Sequence, residues 1–412
     1  MPKTPEGKPD LVIRNIGQLL PMDGAGGFAV EEAALAVAGG KVAWAGEEAL
    51  LPDRVTVGGD AVTVDAAGGV VTPGFVECHT HLVFAGSRAR EFEMRMEGRP
   101  YLEILEAGGG ILSTVRATRA ASDGELERSA LERIGRLLAF GVTTCEAKSG
   151  YGLSTEAELR ILRVVRSLGG RTAVRLVPTF LGAHAVPPEH RENKERYVDL
   201  VVEEMIPAVA AEGLAAFCDV YIERGAFDYA ETERILTAAR AKGLGLKLHA
   251  GQFEDLGGAG LGARLGAASV DHLEKVSDAG LAAMARAGTV AVLLPGAAFC
   301  IRERMPDARR IKGAGVRVAV STDLNPGTSM TENLPLMMTM AVVNGGMAME
   351  DAMRAVTVHA AAALALGDGT GTLAPGAPAD FVIHRARDWR EIAYHFGAGS
   401  AESVYIGGRK AK

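Results

Sequence analysis

No run of eighteen uninterrupted apolar residues occurs in the 412-residue chain, so nothing in it reads as a membrane-spanning helix. The start, Met1–Asp10, is polar, and no apolar core of a secretory signal follows it. No long basic run is present, and the net charge is −7. Both argue against nucleic acid and anionic membrane surfaces as partners. Cysteine is scarce. Cys78, Cys145, Cys218 and Cys300 lie far apart with no C-x-x-C among them. This argues against a disulfide framework or a cysteine-held metal, and reads as buried thiols in a reducing cytoplasm. No internal repeat or low-complexity segment stands out.

What is present is a chain with 48% apolar and 23% charged residues, enough to bury a large core. The first seventy residues carry short apolar or β-branched runs (Leu11–Ile13, Ala34–Val37, Val42–Trp44, Val62–Val64) separated by Gly/Asp clusters. The far end repeats this texture at Phe381–Ile383 and Val404–Ile406. Both read as short strands joined by turns. Since chain ends are often close in space, residues 1–72 and 372–412 are expected to form one small β-sandwich domain. The middle, 73–371, alternates. Apolar runs at Phe75–Cys78, Val142–Cys145, Val174–Phe180, Phe217–Ile222, Leu246–Leu248, Ala268–Asp271, Val290–Leu294 and Val316–Val320 are separated by helical stretches such as Gly124–Ala139, Thr155–Ser167 and Tyr229–Ala241. Eight such repeats predict an α/β fold, a (β/α)8 TIM-like barrel, with a doubly wound sheet as the alternative.

In such barrels the chemistry sits at the C-terminal ends of the strands. Six of the eight runs end in, or lead into, a reactive side chain: His79 and His81 after the first, Glu146 and Lys148 after the second, His184 after the third, His249 after the fifth, Asp271-His272 after the sixth, Asp323 after the eighth. Burying such groups without purpose is costly, so a convergent pocket is the simpler account. In His79-Thr80-His81 the two imidazoles lie two residues apart, and on a strand they share a face. With His249 and Asp323 they supply three nitrogens and one carboxylate. That set suits one divalent metal per chain, Zn or Fe, with a position left open for water. Read singly, His249 is equally a strand-end imidazole bonded to backbone, and Asp323 the start of a turn.

These residues and their surroundings resemble the amidohydrolase superfamily, and within it the imidazolonepropionases. The resemblance runs through PGFVECHTHLVF (Pro73–Phe84), GGGILSTVRATR (Gly108–Arg119), KSGYGL (Lys148–Leu153), TFLGAHAVPP (Thr179–Pro188) and STDLNPGTS (Ser321–Ser329). A further stretch, GTLAPGAPADFVI (Gly371–Ile383), is shared more widely across the superfamily. The resemblance implies hydrolysis of the cyclic amide of a small-molecule substrate, 4-imidazolone-5-propanoate, to N-formimidoyl-L-glutamate in histidine degradation. It also implies a homodimer. It gives Arg88 the substrate carboxylate, Tyr151 and His184 the ring, Asn325 and Gly327 the product, and Thr328 the ring. Arg90 and Arg95 read as solvated helix arginines. His272 and Asp323 are the expected proton carriers, with His272 also stabilising the oxyanion. Gln252 stands where some family members have Glu. An amide has no titratable proton, so it can hydrogen-bond the ring but not serve as base. A carboxylated lysine bridging two metals is not expected, because the fourth run ends without Lys. Glu146 is then a structural neighbour of the site, and Lys148 a pocket-wall cation or a partner to Glu146. His190, His359, His384 and His395 read as structural or surface residues. A different amidohydrolase, acting on another cyclic amide or a nucleobase, and a non-catalytic scaffold are the alternatives.

Overall fold

The computed structural model describes residues 7–24, 27–100, 103 and 107–412. The first six residues of the polar start lie outside them. Among the described residues no helix is long and apolar enough to cross a membrane.

The first strands are β1 (Leu11–Leu19), β2 (Val30–Ala38), β3 (Lys41–Glu47), β4 (Val62–Asp65) and β5 (Val70–Pro73). Eight strands follow: β6 (Phe75–Glu77), β7 (Val142–Lys148), β8 (Arg175–Ala183), β9 (Phe217–Ile222), β10 (Gly245–Ala250), β11 (Ser269–His272), β12 (Val290–Leu293) and β13 (Val318–Val320). Last come β14 (Phe381–His384), β15 (Ala401–Ile406) and β16 (Arg409–Lys410).

Strands β6 to β13 pair in chain order, all parallel, with helices between them. The circle nearly closes. His81 N–H donates to the Leu324 carbonyl at 2.9 Å, and Cys78 N–H to Ser321 Oγ at 3.0 Å. Glu77 helps close the same seam, accepting from Ser321 Oγ and from the Thr322 amide. The expected barrel is therefore present, and the doubly wound alternative is not. Helix Asp123–Ala139 shows how the outer ring is specified. Ser122 and Glu125 form a capping box, and Leu126, Ala130, Ile134 and Leu137 bury one stripe against the barrel.

Along β7, β9, β10 and β11 the two faces carry opposite chemistry. Cys145 and Ala147, Cys218 and Val220, Leu246 and Leu248, and Val270 join the core under the helices. The alternate residues Glu146, Lys148, Asp219, Lys247 and Asp271 are buried and meet one another across strands that are not neighbours. They can do so only inside the barrel. A period of two thus divides each strand between an apolar outer face and a charged interior.

The terminal strands form a second sheet, in the order β16-β15-β14-β5-β1-β2-β3 with β4 beside β1. Its N- and C-terminal halves meet where Val382 pairs with Thr72. Val42 N–H bonds the Ala377 carbonyl and Ala379 N–H the Gly40 carbonyl, both at 2.9 Å, tying the far edge back on the sheet. Leu35, Val37, Phe381 and Tyr405 consequently share one core, as a small sandwich requires. Three cysteines are buried as expected; Cys300 is only half-buried.

Candidate active site

A cavity of about 730 Å³ opens at the C-terminal ends of the barrel strands. Every expected site residue except His79 lines it: His81, Arg88, Tyr151, His184, His249, Gln252, His272, Asp323, Asn325, Gly327 and Thr328. His79 is fully buried directly behind that wall, its ring 4.5 Å from that of His249.

One nitrogen each from His79, His81 and His249 lies within 4.8 Å of the others. Asp323 Oδ1 stands 3.4 Å from His79 Nε2 and 3.6 Å from His81 Nε2. Two carboxylates fix the rings from behind. Asp271 Oδ2 is 2.5 Å from His79 Nδ1, and Asp219 Oδ2 is 3.0 Å from His249 Nδ1. Each carboxylate accepts the Nδ1 proton and leaves the Nε2 lone pair facing the site. Both Nε2 atoms are buried and have no hydrogen-bond partner. Burial, aided by the Lys148 charge for His79 and by His184 for His81, holds both imidazoles well below the usual histidine range. Burial likewise takes His249 down to about 3. Neutral imidazoles with unpaired, converging nitrogens are the state a divalent metal requires, so the residues fit such an ion.

Asp323 is pushed up to about 7, chiefly by burial, with the His272 charge pulling the other way. For His272 burial works to lower the pKa, but the neighbouring carboxylates of Glu274, Asp323 and Asp271 outweigh it and hold the imidazole above its usual value. The backbone is strained here. His272, Leu273 and Asp323 have φ of 78°, 71° and 53°, a region that costs non-glycine residues about 1–3 kcal/mol each. Leu273 N–H bonding the Ala250 carbonyl at 3.1 Å and Lys275 N–H the Gly251 carbonyl at 2.8 Å hold the turn after β11. That turn brings Glu274 back to within 3.8 Å of His272 Nδ1.

On the opposite wall Arg88 precedes helix Ala89–Met96. Its guanidinium is largely buried and forked onto Glu91, which also accepts the Gly110 amide at 2.8 Å. Arg95 departs from expectation. It is not a solvated helix residue, since it lines the same cavity and donates to the Gly327 carbonyl at 2.8 Å. Gly327 N–H and Thr328 N–H both bond Asn325 Oδ1 at 2.8 Å, so Asn325 shapes the loop that carries all three. The loop bearing Tyr151 is organised by one carboxylate. Glu158 accepts the amides of Gly150, Gly152 and Leu153 at 2.7–2.9 Å. His184 stacks on His81 with ring centroids 4.9 Å apart. Gln252 accepts from the Tyr221 hydroxyl at 2.8 Å.

Glu146 and Lys148 are partners, 2.9 Å apart and fully buried; Lys148 is not in the pocket wall. Sequence reasoning missed Asp219, Lys247, Glu91 and Glu158. His384, His359 and His190 pack elsewhere. His384 is buried between Thr72 and Ser400, His359 bonds the Val318 carbonyl, and His190 lies 5.3 Å from the Tyr197 ring.

The amidohydrolase family's profile matches residues 70–410. An imidazolonepropionase of Myxococcus xanthus (strain DK1622) is 48% identical over 410 residues, 98% of this chain and 97% of that one. Another, of Geobacillus kaustophilus (strain HTA426), is 48% identical over 350 residues, 85% and 82% of the two chains. The chain belongs to the imidazolonepropionase family of amidohydrolases. Among solved structures, a Xanthomonas campestris adenosine deaminase with bound zinc superposes with a TM-score of 0.72 at 18% identity, covering 98% of this chain and 93% of that one. A 5-methylcytosine deaminase of Klebsiella pneumoniae gives 0.74 at 16%, covering 97% of each. At such identities these two establish the fold, not the substrate.

Proposed function

We propose that the chain hydrolyses 4-imidazolone-5-propanoate to N-formimidoyl-L-glutamate in the cytoplasm, as a homodimer with one Zn or Fe ion per chain. The observation that carries this is a single cavity lined both by converging neutral imidazoles and by a half-buried arginine. Arg88, its Nε and one Nη held by Glu91, presents its remaining guanidinium N–H groups to the propionate carboxylate. A nucleobase offers no such group, so the arginine favours this substrate over a nucleobase. His79, His81, His249 and Asp323 would hold the metal, which when bound activates water and polarises the ring carbonyl. Tyr151 and His184 position the ring. Gln252, its carbonyl taken by Tyr221, keeps its amide N–H groups for the ring oxygen or nitrogen. Asp323 accepts a proton from the attacking water as the new C–O bond forms at the ring carbonyl carbon. His272 stabilises the oxyanion. As the carbon–nitrogen bond breaks, the proton taken up by Asp323 passes by way of His272 to the departing ring nitrogen. Asn325, Gly327 and Thr328 hold the open-chain product. In this reading residues 1–72 with 372–412 form the accessory domain, and 73–371 the catalytic barrel.

The test is metal content and turnover of imidazolone propionate for wild type, Arg88→Ala and His249→Ala. About one metal per chain is expected in wild type, with His249→Ala losing metal and activity and Arg88→Ala keeping metal but losing activity. Metal without turnover in the wild type rules out the substrate; absence of metal rules out the site.

A further inference from the structure

Beneath the three histidines the barrel interior holds five fully buried ionisable side chains: Glu146, Lys148, Asp219, Lys247 and Asp271. None of them carries a step of the proposed reaction. Lys148 stands at their centre. Its Nζ lies 2.9 Å from Glu146 Oε2, 2.7 Å from Asp219 Oδ2 and 3.7 Å from Asp271 Oδ2. An ammonium has three N–H donors, and here three carboxylates surround it. Two of them are the groups that fix metal-site imidazoles, Asp219 on His249 at 3.0 Å and Asp271 on His79 at 2.5 Å.

We propose that Lys148 is a positioning residue for the metal centre, clamping Asp219 and Asp271 together and through them orienting the rings of His249 and His79. The inference rests on the reading of those histidines as metal ligands.

The rest of the cluster shows why the clamp is rigid. Asp271 Oδ1 is held by Ser269 Oγ at 2.6 Å, so the Oδ2 that His79 and Lys148 share has a set direction. Glu146 is anchored on its other oxygen by Lys247 at 3.1 Å and by Thr179 Oγ1 at 2.5 Å. Lys247 also donates to the Cys78 carbonyl at 3.0 Å, one residue before His79. Glu146 thus tethers the lysine from one side while the two aspartates receive it from the other. Register supports the arrangement, since His249 pairs with Asp271 across β10 and β11, and Lys247 with Asp219 across β10 and β9. One cation spans β7, β9 and β11 and reaches two ligands that belong to different strands. Remove it, and two buried carboxylates face each other with no common counter-charge, free to turn from the imidazoles they orient.

Zn²⁺ affinity of the full-length, metal-stripped protein, measured by competition with a chelating indicator, tests this. Partners that orient metal-bound histidines are worth about ten- to a hundredfold in metal affinity. Lys148→Met is expected to weaken Zn²⁺ binding by that factor while far-UV circular dichroism of the metal-free protein stays that of wild type. Lys148→Met/Asp219→Asn is expected to lose less than the sum of the two single variants, because both disturb the His249 ring through Asp219. Should Lys148→Met alone fail to fold, Lys148→Met/Glu146→Gln removes one charge of each sign and carries the same expectation. Unchanged Zn²⁺ affinity in a folded variant overturns the proposal. Failure of both variants to fold overturns it too, by making the lysine a residue of the fold only. A wild type that binds no Zn²⁺ would instead defeat the metal reading beneath it.

Discussion

At the residue scale the site is built from neutral imidazoles and the carboxylates that aim them. Arg88 illustrates the same logic with opposite charge. Its fork is pre-shaped by Glu91, which the Gly110 amide holds in place. Glu91→Gln should keep the shape but loosen the fork. The expectation is a KM for imidazolone propionate raised about tenfold with kcat little changed, since a lost contact to the non-reacting carboxylate is uniform binding. Unchanged steady-state parameters would remove Glu91 from the site. His384 tests a purely structural histidine. Burial, with a smaller contribution from Lys412, lowers its pKa to about 3, against about 6.5 for an unfolded chain. Between those values the unfolded state binds the extra proton. Stability from this group is therefore complete above about pH 6.5 and is lost as pH falls toward 3. Denaturant unfolding at pH 7 and pH 5 should show wild type losing more stability than His384→Gln; an equal loss in both would show that His384 carries no such linkage.

At the element scale, glycine marks where helices press on the barrel. Helix Gly258–Leu265 has three glycines among eight residues, a composition that hides it from helix propensity. Packing explains it. A Cβ on Gly258 would sit 2.6 Å from Ala250 Cβ and 2.7 Å from Ile222 Cγ2. Propensity favours Gly258→Ala by about 1 kcal/mol, whereas overpacking costs about 1–3 kcal/mol. The steric side should win, so net destabilisation is expected in urea unfolding, and a more stable variant would show that the helix has room to move. The Tyr151 loop shows the reverse case. Glu158 comes from the first turn of helix Thr155–Leu168, where an acid is unremarkable in sequence. Only the loop's three returning amides give it a role.

At the scale of the whole molecule the β5–β14 pairing joins the two chain ends into one sheet, and the proposed metal ligands come from three barrel strands or the loops after them, those of β6, β10 and β13. A ligand held only by the folded state stabilises it by mass action. Zn²⁺ supplied at a hundred times its dissociation constant should add about 2.7 kcal/mol to unfolding free energy. The measurement is chemical unfolding of metal-stripped and metal-replete protein, and the increment should vanish in His249→Ala. An increment that persists there would place the stabilising ion elsewhere.

The barrel, and the histidines and acids at its strand ends, were legible because they follow from local pattern; Arg88, Tyr151, Gln252, Asn325, Gly327 and Thr328 were expected from the family resemblance alone. Apolar runs of strand length alternate with amphipathic helices, and reactive side chains recur at the run ends. His79 and His81 announce themselves by a spacing of two. Asp219 and Lys247 sit inside runs that read as strand core, where a charge looks like an interruption. Arg95 looks like any solvated helix arginine, and Glu91 like its neighbour. Their roles depend on which strands and loops face each other across the barrel, at separations such as the 71 residues from Lys148 to Asp219. The strength of a buried charge pair is set by distance and local dielectric, and both exist only once the barrel has closed. Sequence alone established the fold class and the family, and pointed to the residues proposed as ligands. The tertiary structure alone decided which buried charges stand against them.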